Sequence, residues 1–201
     1  AAWQAKKPLP VDALFADYFK SRRYIGSKDR GAISELVYYC LRNGGALAWH
    51  VEKTGKAANP RRIVMLGVMF ARGLDMDGVK ALFNWGKYCP TMLTDVEAGI
   101  VQRSEGQALI QDGMPDAARY NYPDWMDGRL KDAFGEAFPQ AMDALNRQAP
   151  IDLRVNTLKC KHRSDLVLAL DADGHFGAAT PLSPLGVRLK KRLPAFNTKA
   201  F

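Results

Sequence analysis

The residues of this chain best suited to chemistry are cations, and they fall in two clusters. The first holds Arg22, Arg23, Lys28, Arg30 and Arg42, joined by Arg61 and Arg62 where a later helix begins. The second holds Arg154, Lys159, Lys161 and Arg163, with Arg188, Lys190, Lys191 and Arg192 further on. Grouped Lys and Arg neutralise phosphates and release counterions, which is the chemistry of nucleic-acid binding. Arg154 and Asn156 alternate on one strand face in this reading, so a guanidinium fork and an amide can meet one ligand together. Two alternatives stay open. The first cluster can be solvated arginines paired with acids such as Asp29 and Glu35. Arg154 can be a salt-bridge partner that ties the sheet to a helix or a neighbouring domain.

Other chemistries find little support. The sequence has no glycine-rich phosphate loop and no His-Glu-x-x-His pair. His50, His162 and His175 are scattered, and Cys160 with His162 lacks the further ligands a metal needs. Cys40 lies on an apolar helix stripe and reads as core, whereas Cys89 beside Pro90 reads as a loop thiol. No catalytic, cofactor-binding or metal-ligating residue is expected in this chain. Tyr24, Tyr38, Tyr39, Tyr88, Tyr120 and Tyr122 offer rings for base stacking. Tyr120 and Tyr122, flanking Asn121, look more like interdomain packing.

The elements that must position the cations are helical over the first two-thirds. Residues 10–22 carry Leu14, Phe15, Tyr18 and Phe19 on one stripe. Ser27 is expected to cap a helix bearing Ile33, Leu36, Val37, Cys40 and Leu41, which stops at Asn43-Gly44-Gly45. Asn59-Pro60 opens a helix whose residues from Ile63 to Phe70 are nearly all apolar, the mark of a buried bundle centre. Thr94 and Glu97 have capping-box spacing, and about six helices are expected by residue 112. After Pro115, Pro123-Asp124-Trp125 and Phe138-Pro139 each start a further helix. The period then changes to two near residues 151–157 and again near 186–191, predicting two strands around a helix capped by Ser164. The expected fold class is α plus α/β: an all-helical bundle over 1–118, then linker helices and a small α/β domain over 119–201.

Composition sets the outer bounds. The 201 residues are 47% hydrophobic and 25% charged, with a formal net charge of +8 and a mean hydropathy of −0.24. No run approaches the roughly 20 apolar residues of a membrane span, and no signal peptide is evident. Three widely spaced cysteines argue against a secreted disulfide framework and for the cytoplasm. The charge is unevenly spread. Residues 1–62 carry 12 Lys+Arg against 5 Asp+Glu, residues 63–153 carry 8 against 13, and residues 154–201 carry 9 against 3. The chain is basic at both ends and acidic between them.

Three motifs carry a family resemblance that covers nearly the whole chain. Ala149-Pro150-Ile151-Asp152-Leu153-Arg154-Val155-Asn156-Thr157-Leu158-Lys159 resembles a signature of the RNA (cytosine-5) methyltransferases related to the bacterial Sun/Fmu protein, the RsmB/NOP/NSUN family. Tyr122-Pro123-Asp124-Trp125 is similar to that family's helix start, where His is common in place of Tyr122. Asp29-Arg30, Glu35-Leu36-Val37-Tyr38 and Leu41-Arg42 are similar to the NusB-like helical domain at the amino end of its bacterial members. The resemblance implies a NusB-like bundle, a pre-catalytic α/β domain and small-subunit ribosomal RNA as partner. It also implies a further domain, outside this chain, that binds S-adenosylmethionine and carries the catalytic cysteines. Cys40, Cys89 and Cys160 match neither cysteine motif.

On this reading the chain holds and orients RNA for a methyltransferase that is completed in cis by the absent catalytic domain. By itself it is inactive and binds no S-adenosylmethionine. The alternative is a stand-alone NusB-like adaptor that binds RNA or protein without catalysis.

Overall fold

A computed structural model describes residues 10–191 and Thr198. Arg192, counted above among the cations, lies outside the described residues. The chain forms two compact units, one up to Asn146 and one from Arg147.

The first unit is helical. It runs through α1 (Val11–Lys20), α2 (Ser27–Arg42), α3 (Gly44–Glu52), α4 (Pro60–Arg72), α5 (Met76–Leu82) and α6 (Asp95–Ser104). The short α7 (Asp116–Arg119), α8 (Asp127–Phe134) and α9 (Phe138–Asn146) follow. Helix α4 is central, and its ends follow from local chemistry. Asn59 Oδ1 accepts the Arg62 N–H at 2.9 Å, Pro60 sits where no N–H is needed, and Gly73 closes the helix in the left-handed region at φ 60°. Between these ends Met65, Leu66, Gly67, Val68 and Met69 are buried, and only Val64 of the apolar run is largely exposed. They pack with Cys40 of α2, Leu47 and Val51 of α3, Val79 of α5, and Ile100 and Val101 of α6.

Gly67 makes that packing possible. A Cβ there would overlap Cys40 Sγ, so the two helices approach closely only because position 67 has no side chain. Burial raises the Cys40 thiol to about 11, so it is a protonated core group rather than a nucleophile. His50 is also buried, with Nε2 donating to the Leu109 carbonyl at 2.9 Å. Burial disfavours its charged form and lowers its pKa, although the carbonyl acts the other way.

Two expected helix boundaries are corrected. Ser27 is the first residue of α2, preceded by Gly26, and its side chain makes no cap. Asn43-Gly44-Gly45 is a corner rather than a stop, since α3 begins at Gly44. Asn121, itself at φ 59°, latches that corner: its Oδ1 accepts the Gly45 N–H at 2.8 Å and its Nδ2 donates to the Leu41 carbonyl at 2.7 Å. Tyr120 and Tyr122 flank this latch and pack against Phe138, with Met142 and Leu130 beside them. All five residues lie in the first unit, so this packing is within a unit.

The second unit contains β1 (Asp152–Arg154), α10 (Arg163–Ala172), β2 (Gly177–Ala179) and β3 (Gly186–Leu189). Its sheet is antiparallel with order β1-β3-β2, pairing Asp152 with Arg188 and Ala178 with Arg188. Alternation sends Val187 and Leu189 to one face, where they join Val155 and the α10 residues Leu166 and Leu170 in a second core. Strand β2 has no alternation legible in its Gly177-Ala178-Ala179 sequence and was not expected. Helix α10 starts at Arg163, with Asp165 Oδ2 accepting the His162 N–H, so the cap is His162 rather than Ser164.

Gly67→Ala is expected to destabilise the protein by about 1–3 kcal/mol through overpacking. Urea unfolding measures it, and combining the change with Cys40→Ala should recover part of the loss. Because the folded-state pKa of His50 is depressed, the unfolded chain takes up the proton first as pH falls. Its stabilising contribution is intact above about 6.5 and declines below that. His50→Asn should flatten this slope in thermal melts.

Candidate nucleic-acid interface

The first cationic cluster surrounds the turn between α1 and α2. Arg22 Nη1 donates to Ser21 Oγ at 3.0 Å, and its guanidinium lies 4.1 Å from the Tyr18 ring centroid. Arg30 Nε donates to the Ile25 carbonyl at 2.8 Å and its head sits over Phe19. The aromatic stripe of α1 therefore carries two of the arginines on its rings, an arrangement that fixes planar cations. Arg23 and Lys28 are exposed and have no side-chain partner among the described residues; Arg42 is half-buried at the end of α2 and likewise unpaired.

Arg61 and Arg62 have structural roles. Arg61 makes a two-oxygen contact with the buried Glu97, Nε to Oε1 at 2.7 Å and Nη2 to Oε2 at 3.3 Å. Nη2 also donates to the Thr91 and Met92 carbonyls, at 2.9 and 3.1 Å, and the guanidinium lies over the Phe83 ring. Glu97 completes the expected capping box with Thr94 at the start of α6. Burial alone would raise the Glu97 carboxyl; the hydrogen bonds from Arg61 and Thr94 outweigh it and hold the pKa below the usual carboxylate range. Arg62 donates from Nη1 to the Ala57 carbonyl at 2.7 Å, while its buried Nε has no partner.

In the second unit the cations divide in the same way. Arg188 grips Asp152 across the strands with two hydrogen bonds of 2.8 Å, and that contact holds the Asp152 carboxyl below its ordinary range. Arg163 donates to the Thr180 and Ser183 carbonyls at 3.3 and 3.0 Å and so ties the β2–β3 loop to α10. Strand β1 ends at Arg154, and Asn156 lies in the turn beyond it, where its Oδ1 accepts the Leu158 N–H at 3.0 Å. The strand face shared by Arg154 and Asn156 is thus corrected: Asn156 shapes the turn that presents Lys159. Arg154 itself is exposed and unpaired among the described residues, as are Lys159, Lys161 and Lys191. Lys190 Nζ sits 5.7 Å from the ring centroid of the exposed Phe176. Arg154, Arg188 and Lys190 stand on the side of the sheet opposite the core residues Val187 and Leu189.

Among the described residues no three His, Cys, Asp or Glu side chains gather as a metal site, and no helix is long and apolar enough to cross a membrane. Two features were not legible in the residue pattern. Glu97 reads as a cap from its spacing, but its pairing with Arg61 joins positions far apart in the chain. The rings of Trp85 and Phe176 stand exposed, and neither lies in a periodic stretch.

A helical bundle followed by a three-stranded antiparallel sheet with one helix, its open face cationic, defines the class of protein. Residues 122–195 match the family model described as "Methyltr_RsmF/B-like, ferredoxin-like domain". The chain is 27% identical over 191 residues to ribosomal RNA small subunit methyltransferase B of Escherichia coli O127:H6, covering 88% of this chain and 44% of that protein. The Escherichia fergusonii protein of the same name is 27% identical over 184 residues, covering 85% and 42%. The crystal structure of PH0851 has a similar fold, with a TM-score of 0.59 at 16% identity over 96% of this chain and 47% of that one. The chain therefore spans less than half the length of the curated relatives it matches. These comparisons show a likeness to the RsmB/Fmu-like methyltransferases, carried by the family-model match over residues 122–195 and by the 27% identity to the Escherichia coli protein.

The Arg61–Glu97 contact yields a pH-dependent outcome. Its carboxyl is depressed in the folded state, so its contribution is complete above about pH 4.3 and is lost as pH falls through the folded-state value. Glu97→Gln should cost about 1–3 kcal/mol at neutral pH. In urea titrations it should also lose less stability than the parent between neutral pH and pH 3.

Proposed function

We propose that this chain is the RNA-binding and substrate-orienting region of an S-adenosylmethionine-dependent methyltransferase that modifies cytosine C5 in small-subunit ribosomal RNA. Residues 1–118 form a NusB-like domain in this reading, and residues 119–201 supply the linker helices and the pre-catalytic α/β domain. The observation that carries it is the set of unpaired cations in the family-matched segment: Arg154, Lys159, Lys161 and Lys191 are exposed and have no partner among the described residues. Cations already bound to carboxylates gain little from phosphate, whereas free ones release counterions on contact. Arg23, Lys28 and Arg42 extend the same role to the helical unit, with Arg22 and Arg30 held on rings beside them.

Arg61, Arg62, Arg163 and Arg188 act as internal ties, and Asn156 as a turn former, so their effect on RNA is through position. Methyl transfer belongs to a separate domain that binds S-adenosylmethionine and supplies the cysteine nucleophile. The chain itself contributes grip and orientation in the cytoplasm and carries no catalytic group.

Filter binding to small-subunit ribosomal RNA tests this. The chain is expected to bind at about 50 mM salt and to weaken steeply by about 200 mM. Arg154→Ala and Lys159→Ala should each lower affinity several-fold and reduce the log–log salt slope by about 0.7–0.9. Asp152→Ala, which frees Arg188, should not weaken binding. Calorimetry with S-adenosylmethionine should show no heat, and binding of that cofactor or failure to bind RNA at low salt overturns the reading.

A further inference from the structure

The loop between α5 and α6 does not resemble a connection that has merely been left at the surface. Residues 84–92 are all exposed, yet the loop is held in one shape by its own hydrogen bonds. Asn84 Nδ2 donates to the Ala81 carbonyl at 2.8 Å, and Asn84 Oδ1 accepts the Gly86 N–H at 2.7 Å. The Trp85 N–H donates to the Pro90 carbonyl at 3.0 Å and the Cys89 N–H to the Gly86 carbonyl at 2.9 Å. From beneath, Arg61 holds the Thr91 and Met92 carbonyls and is itself fixed by Glu97.

This frame presents two large rings to solvent. Trp85 is 70% exposed and Tyr88 is 90% exposed. Both have left-handed backbone, at φ 58° and 72°, a conformation bulky residues seldom adopt. Asn121 is the one other non-glycine residue with positive φ among the described residues, and its latch accounts for it. Glycine would suit positions 85 and 88 better for folding, so the rings have a use outside the fold. Their surroundings identify that use. Lys87 Nζ lies 5.2 Å from the Tyr88 ring centroid. Lys80 is exposed nearby in sequence, and no Asp or Glu occurs from residue 78 to residue 94, although the middle of the chain is acidic overall.

We infer that the 84–92 loop is a stacking platform for unpaired RNA bases, with Trp85 and Tyr88 taking base faces and Lys87 and Lys80 the adjoining phosphates. Exposed rings, one of them against Lys87, in a stretch of sequence without Asp or Glu suit an anionic, planar ligand better than an acidic or apolar peptide. Duplex RNA is a poor occupant, because its base faces are already stacked on one another. The inference rests on the RNA-binding reading above and adds to it a second contact, one that prefers single strands.

The test uses the full chain with a fluorescein-labelled oligouridylate of about 12 nucleotides, a size within the range of single-strand sites, and an RNA duplex of equal length. The oligouridylate is expected to bind more tightly than the duplex and to quench tryptophan fluorescence. Trp85→Gly and Tyr88→Gly should each lower oligouridylate affinity about tenfold while leaving the melting temperature unchanged or raised, since glycine accepts the backbone conformation. Trp85→Phe should keep most of the affinity and lose most of the quenching. If both glycine variants bind oligouridylate like the parent, the platform is refuted, while ribosomal RNA binding sensitive to Arg154→Ala leaves the broader reading standing. Failure to bind either RNA refutes both.

Discussion

The buried helix α4 is the constraint on which the helical unit depends. Met65, Leu66, Val68 and Met69 point in different directions around one axis, so no single neighbour can cover them. Helices α2, α3, α5 and α6 each supply part of the cover, and this determines where their other faces lie. The approach of α2 is limited by the missing side chain at Gly67 and by a protonated Cys40 thiol. Close packing of this kind leaves little room for adjustment, which is why a single methyl group matters there.

The same unit shows how positive charge is divided between building and binding. Arg61 begins at the first turn of α4 and reaches a buried carboxylate on α6 together with two loop carbonyls. A guanidinium suits this because its five N–H donors lie in one plane and can serve several acceptors at once. The small unit repeats the division, with Arg188 bound to Asp152 across two strands while Arg154 of the same strand as Asp152 has no partner among the described residues. An exposed pair of that kind adds little stability, but it orders the sheet face on which the free cations stand.

Much of the architecture was legible from residue spacing. Asn59-Pro60, the Thr94–Glu97 box and the apolar run after Ile63 each report local physics, and the elements form where expected. The strand pattern at Ile151–Asn156 was also read, though the strand itself is shorter and Asn156 turns away from it. Local signals failed where a neighbour decided the outcome. Ser27 looks like a cap but lies inside its helix, and Gly44-Gly45 looks like a stop but continues as α3 because Asn121 satisfies the corner from a distant position. Strand β2 is made of Gly177, Ala178 and Ala179 and is a strand because β3 pairs with it.

Taken alone, the sequence determined most of the helices, the strands near Arg154 and Arg188, the two basic ends, the buried character of α4 and the motifs similar to those of the RsmB/Fmu-like methyltransferases. These are properties of residue type and short-range spacing, and a linear chain already contains them. Only the tertiary structure decided which cations are free. Arg61 and Arg154 are indistinguishable as letters; one lies against Glu97 and the other faces solvent because chain segments far apart are brought together in one case and not in the other. Whether a charge binds a partner outside the protein depends on whether folding has already given it one inside.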